Sequence, residues 1–180
     1  MEHKRLLIGS SRSMATVKLE AMLELPGEGE ALMQELHELV MKEARSGIQP
    51  RPGALELLRR LTGAGLPLGV ASNAEREFLE STLSSAGLLH HGPFAAIVAA
   101  EDVEHPKPAP DIYVEACRRL GTQPAECVAL EDSATGVTSA AAAGMLVIGV
   151  PYLPDTELPG CDVLAASLAD PVVADTLGLG

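Results

Sequence analysis

The sequence predicts an α/β protein, a Rossmann-like parallel sheet with crossover helices, preceded by a short all-helical lobe. Two observations carry this expectation. From Arg51 onward, helical and strand patterns alternate, and the strand runs Leu68-Gly69-Val70, Val128-Ala129-Leu130 and Val147-Ile148-Gly149-Val150 are apolar without alternation, as strands covered on both faces are. Over residues 13–46, the apolar residues recur at helical spacing. The division expected is therefore a helical lobe over residues 1–50 and an α/β core over residues 51–180.

In the lobe, Met14, Val17, Leu19, Met22 and Leu23 form one partly periodic set. Leu32, Leu36, Leu39 and Val40 form a clearer one after the break at Pro26-Gly27. In the core, Pro52 at a helix start and Gly65 beyond its end bracket a helix over residues 54–61. There follow a strand over 66–71, a helix over 75–86 closed by Gly87, a short strand over 95–99 and a helix over 111–120. A strand over 127–130, an alanine-rich helix over 135–143, a strand over 146–150 and an edge strand over 163–166 complete the pattern. No internal repeat is evident.

At 180 residues and 47% hydrophobic, the chain can bury one ordinary core. Its net charge of −12 argues against nucleic acid or an anionic membrane as partner, because both are bound largely through basic side chains. A small anionic ligand remains compatible, since one lysine or a divalent cation reverses the field locally. The three cysteines, Cys117, Cys127 and Cys161, are isolated in sequence and form no C-x-x-C pair, so buried reduced thiols are expected rather than a disulfide framework or a zinc site. The N-terminus carries no signal-peptide pattern and the longest apolar run, residues 140–150, is too short to cross a bilayer, so a cytoplasmic protein is expected.

In an open parallel sheet, ligands collect outside the carboxyl ends of the strands. Ser72-Asn73 follows the first predicted strand, Lys107 lies in the loop after the second, and Glu131-Asp132 closes the third. A hydroxyl with neighbouring backbone N–H groups binds phosphoryl oxygens, a lysine neutralises them as a point charge, and adjacent carboxylates suit Mg²⁺. Each also has a plain structural role. Ser72-Asn73-Ala74-Glu75 reads as a capping box, Asp132 or Ser133 as a helix N-cap, and Lys107 between two prolines as a solvated loop lysine. It is their joint placement at strand ends that points to a phosphate site. The five histidines show no ligand spacing.

These motifs resemble those of the haloacid dehalogenase superfamily (HAD), and within it the β-phosphoglucomutase-like phosphatases and phosphomutases. Gly69-Val-Ala-Ser-Asn73 is similar to the family's second motif, Lys107-Pro-Ala-Pro-Asp-Ile-Tyr113 to its third, and Leu130-Glu-Asp-Ser-Ala-Thr-Gly136 followed by Ala-Ala-Gly-Met145 to its fourth. The resemblance implies a phosphoric monoester hydrolase or a phosphomutase acting on a small phosphorylated metabolite such as a sugar phosphate. Ser72 and Asn73 would contact the phosphoryl group, Lys107 would stabilise its charge and, with Ser72, serve catalysis, and Glu131 and Asp132 would hold Mg²⁺. Gly9-Ser-Ser-Arg12 resembles the part of a helical cap that reaches over the substrate, with Arg12 as a phosphate or substrate contact; residues 1–50 would be the rest of that cap.

One departure is severe. The family's first motif, Asp-x-Asp-Gly-Thr, supplies the phosphorylated nucleophile and the acid/base, and no Asp-x-Asp occurs in the 180 residues. The strand that carries it belongs in mid-sheet, between the strands ending at Ser72 and Asp132. With strands about 4.8 Å apart, its absence predicts a slot of roughly 10 Å lined by unpaired backbone groups. The expectation is a HAD core without its first central strand, N-terminally truncated and inactive as written. The alternative is a non-catalytic phosphate-binding or protein-interaction module, self-associating through the incomplete sheet. Residues 5–9 can also be read as a short strand filling the slot. A phosphoacceptor receiver domain would need an aspartate at the end of a central strand, which is lacking.

Overall fold

A computed structural model of the protein describes residues 12–45, 47–88, 94–153 and 155–180. Both the strand reading of residues 5–9 and the Arg12 side chain lie outside the described part. Two helices come first, α1 (Arg12–Leu23) and α2 (Gly29–Arg45), packed on each other. Their junction is tight: the Gly29 N–H donates to Glu20 Oε1 at 2.9 Å. The core follows as α3 (Ala54–Gly63), β1 (Leu68–Ala71), α4 (Arg76–Ser85), β2 (Phe94–Val98), α5 (Asp111–Leu120), β3 (Val128–Glu131), α6 (Ala134–Ala143), β4 (Leu146–Gly149), β5 (Val163–Leu164) and α7 (Pro171–Thr176). The expected elements all occur within a few residues of their predicted bounds, except that α7 had not been anticipated.

Every strand pair is parallel. The strands form two separate half-sheets, β2-β1 and β3-β4-β5. Among the described residues, no strand pairs with the facing edges of β1 and β3. Between them lies a cavity of about 520 Å³ lined by Leu68–Ala71 on one side and Val128–Glu131 on the other. Among the described residues the predicted slot is therefore present, and its lining is mostly apolar. Leu61 and Leu177 line one face of it and Ala116, Cys117 and Met145 the other.

Helices cover both faces of the half-sheets, which explains the unbroken apolar runs. On one face, Val98 of β2, Ile112 and Ala116 of α5, Ala129 of β3, Val137 and Ala140 of α6 and Val147 of β4 form one cluster. On the other, Leu57 and Leu61 of α3 pack with Ile148, Val150, Ala165 and Val173. α5 lies against both β1 and β2 and also against α6, so it bridges beneath the slot. The helical lobe meets the core where α2 packs on α4.

Among the described residues, only β4 is paired on both sides. Hydrogen exchange read by mass spectrometry should therefore find the amides of β4 slowest, with about half of those in β1 and β3 exchanging rapidly because alternate N–H groups face the slot. Protection of β1 and β3 equal to that of β4 would mean the slot is closed in solution.

Candidate functional site

The carboxyl ends of β1 and β3 open into a second cavity of about 580 Å³, lined by Arg51, Ser72, Asn73, Lys107, Glu131, Asp132 and Ser133 among others. All five core residues singled out from the sequence, Ser72, Asn73, Lys107, Glu131 and Asp132, line this one pocket.

Ser72 continues β1: its N–H donates to the Val98 carbonyl at 3.0 Å, and its Oγ accepts from the Ala74 N–H at 3.1 Å. The capping-box reading fails, because α4 begins at Arg76 and the N-cap residue, Glu75, makes no side-chain cap. Glu101, from the next loop, does that work: its carboxylate accepts from the Arg76 N–H at 3.0 and 3.2 Å. Ser72 is thus left on a turn at the pocket wall. Asn73 locks the loop that carries Lys107. Its Nδ2 donates to the Lys107 carbonyl at 3.0 Å and its Oδ1 accepts from the Lys107 N–H at 2.8 Å.

Lys107 is not a solvated loop lysine: it is 9% exposed, and its partner Glu131 is 7% exposed. The ammonium donates to the Ala71 carbonyl at 3.0 Å, lies 3.2 Å from the Tyr113 hydroxyl and forms a close ion pair with Glu131 Oε1. The Tyr113 hydroxyl donates to the same carboxylate oxygen. Burial, then the Glu131 charge, push the Tyr113 hydroxyl well above its ordinary value, so it stays a donor. Glu131 fits only because position 136 is glycine; a Cβ there would stand 1.8 Å from Glu131 Oε2. Ser133 is the N-cap of α6, its Oγ accepting from the Gly136 N–H at 3.1 Å.

Asp132 faces the pocket with Arg51 Nη1 at 3.8 Å. Arg51 also donates to the carbonyls of Val150 at 3.0 Å and Pro151 at 2.7 Å, tying the start of α3 to the end of β4. Burial, then the neighbouring Glu131 charge, raise the Asp132 carboxyl above the usual carboxylate range, against the pull of Arg51 and Lys107. A carboxyl raised on folding holds its proton longer in the native state, so its contribution weakens the fold as pH rises through that value. Charge strain of this kind is what a bound cation relieves.

Among the described residues, no three His, Cys, Asp or Glu side chains come together as a ready metal cage. A divalent cation would rest on Asp132, with water or phosphate oxygens as the remaining ligands; Glu131, expected from the sequence as a second ligand, stands behind it with Oε1 already engaged by Lys107 and Tyr113. Mg²⁺ accepts that pattern and prefers oxygen donors, so the residues fit it. Two contributors were not singled out from the sequence. Tyr113 lies within the stretch after Lys107, and only its place in the first turn of α5 turns it to Glu131. Arg51 gives no local signal, because its carbonyl partners lie 99 and 100 residues away.

Three comparisons bear on this arrangement. The family model described as haloacid dehalogenase-like hydrolase matches residues 3–144. The chain is 36% identical over 151 residues to the bifunctional riboflavin kinase/FMN phosphatase of Arabidopsis thaliana, covering 82% of this chain and 38% of that protein. It is 36% identical over 123 residues to the fructose-1-phosphate phosphatase of Escherichia coli, covering 68% and 63%. It therefore spans less than two thirds of the length of either relative. Among solved structures, CbbY from Rhodobacter sphaeroides in complex with phosphate superposes with a TM-score of 0.74 at 30% identity, covering 93% of this chain and 78% of that one.

Removing one partner of a buried ion pair leaves the other charge uncompensated. Lys107→Met should therefore lower the unfolding free energy in urea by about 3–5 kcal/mol. Gly136→Ala, which drives Glu131 from its place, should also be strongly destabilising. A loss under about 1 kcal/mol for Lys107→Met would show that the pair is solvated.

Proposed function

Because this chain belongs to the haloacid dehalogenase-like hydrolase family, we propose that it carries the phosphate-binding and cation-binding part of a phosphatase acting on small phosphorylated metabolites, sugar phosphates first among them. The observation that carries this reading is the convergence of a hydroxyl, an amide, a lysine and a carboxylate pair on one pocket at the carboxyl ends of β1 and β3. A phosphoryl group there would be met by the Ser72 hydroxyl, the Asn73 side chain and the Lys107 ammonium, and residues 1–50 would be part of a helical cap over it, with Arg12 as a further contact. Phosphatase activity in two of the relatives supports the substrate class.

In this reading Asp132, with Glu131 behind it, holds Mg²⁺, which when bound screens the charge of the phosphoryl oxygens and acts as a Lewis acid. Lys107 is pinned by Ala71, Tyr113 and Glu131, so its charge is preorganised and needs no rearrangement during reaction. What the 180 residues lack is an Asp-x-Asp pair, and with it a carboxylate to accept the phosphoryl group. This polypeptide by itself is therefore inactive in turnover while retaining the binding half of the site.

A second reading, an interaction module that completes its sheet with another chain, is favoured by one observation, the two parallel edges facing each other across the slot. Sedimentation at micromolar concentration separates the readings: association would support this one, and a compact monomer would count against it.

For the leading reading, the purified chain should hydrolyse p-nitrophenyl phosphate with Mg²⁺ at the uncatalysed rate, while Asp132→Asn weakens Mg²⁺ binding in calorimetry by at least tenfold. Mg²⁺-dependent hydrolysis that Asp132→Asn abolishes would overturn the inactivity, and unchanged Mg²⁺ affinity in that variant would overturn the metal assignment.

A further inference from the structure

The cysteines are isolated in sequence, yet the fold brings two of them together. Cys117, in the last turn of α5, has its sulfur 3.7 Å from that of Cys127, the residue before β3. Both line the slot at the end remote from the phosphate pocket. We infer that Cys117 and Cys127 are an oxidisable dithiol, a modification site that hydrogen peroxide closes into an intramolecular disulfide.

Closure is geometrically modest. The bonded separation is about 2.05 Å, so the sulfurs approach by roughly 1.7 Å from their present 3.7 Å. They are joined by a loop of nine intervening residues that is already drawn shut, with the Thr122 N–H donating to the Cys117 carbonyl at 3.1 Å and the Cys127 N–H to the Pro124 carbonyl at 3.0 Å. The two thiols differ in exposure, which sets the order in which peroxide reaches them. Cys117 is 2% exposed, while Cys127 is only partly buried. Burial, then its hydrogen bond to Cys127, push the Cys117 thiol up to about 12, so it stays protonated.

Cys127 is therefore the sulfur that meets peroxide. Its thiolate attacks one peroxide oxygen; an S–O bond forms, the O–O bond breaks, and the departing hydroxide takes a proton to become water. The Cys117 sulfur then attacks the sulfenic sulfur. The S–S bond forms, the S–O bond breaks, and the leaving hydroxyl takes the Cys117 proton as a second water. In sum, two thiols and one peroxide give one disulfide and two waters. Because α5 lies against β1 and β2, the new bond ties the helix beneath one half-sheet to the residue just before β3 of the other. It therefore fixes the width of the slot at that end.

The test is peroxide treatment of the full chain, followed by denaturation, alkylation and mass spectrometry. The expected result is a mass lower by about 2 Da and one alkylatable thiol of the three in the sequence, with all three restored by dithiothreitol. Digestion with trypsin and glutamyl endopeptidase should yield residues 116–118 linked to residues 127–131, which separates this bond from any made by Cys161. Three alkylatable thiols, a gain of about 16 or 32 Da on a single sulfur, or a disulfide-linked dimer would each overturn the inference.

Discussion

The contact on which most of this structure depends is the buried ion pair between Lys107 and Glu131. One ammonium bonds the last carbonyl of β1 and the last side chain of β3, so it clamps two half-sheets that share no ladder hydrogen bonds. Desolvating both charges is costly, and the pair is tolerable because every partner is supplied. Tyr113 adds a donor, Asn73 fixes the lysine backbone from both sides, and Gly136 leaves room for the carboxylate. The same clamp sets the pocket. It holds a cation beside Ser72 and Asn73 while Asp132, next along the chain, turns outward.

This arrangement accounts for an anion site in a chain of net charge −12. Around the pocket, Lys107 and Arg51 balance Glu131 and Asp132, so the local field is not that of the whole surface. Asp132 stays under charge strain, which a divalent cation would relieve. The slot, by contrast, is apolar and is bounded by helices on both faces. Among the described residues, no strand lies between its two parallel edges.

Much of this was legible in the sequence, for local reasons. The strands were announced by runs such as Val147-Ile148-Gly149-Val150, because a strand covered on both faces has no polar side to alternate with. The pocket residues were legible because each follows a strand end, where parallel sheets gather their ligands. What escaped is non-local or was outvoted. Ser72 carries a capping signature, but Glu101 caps the helix instead, a partner 25 residues away from Arg76. Lys107 between prolines looks solvated until Ala71, Tyr113 and Glu131 close around it. Arg51 and the Cys117–Cys127 contact exist only once distant segments meet. Helix α7 does carry a local signal, Asp170 at the N-cap with Pro171 following it, but at six residues it is too short to show an apolar period.

The most direct measurement is calorimetric titration of the purified chain with inorganic phosphate in the presence of Mg²⁺. The account predicts one site per chain, with affinity falling at least tenfold in Ser72→Ala and further when Mg²⁺ is withdrawn. Absence of binding, or binding indifferent both to Ser72 and to Mg²⁺, would contradict it.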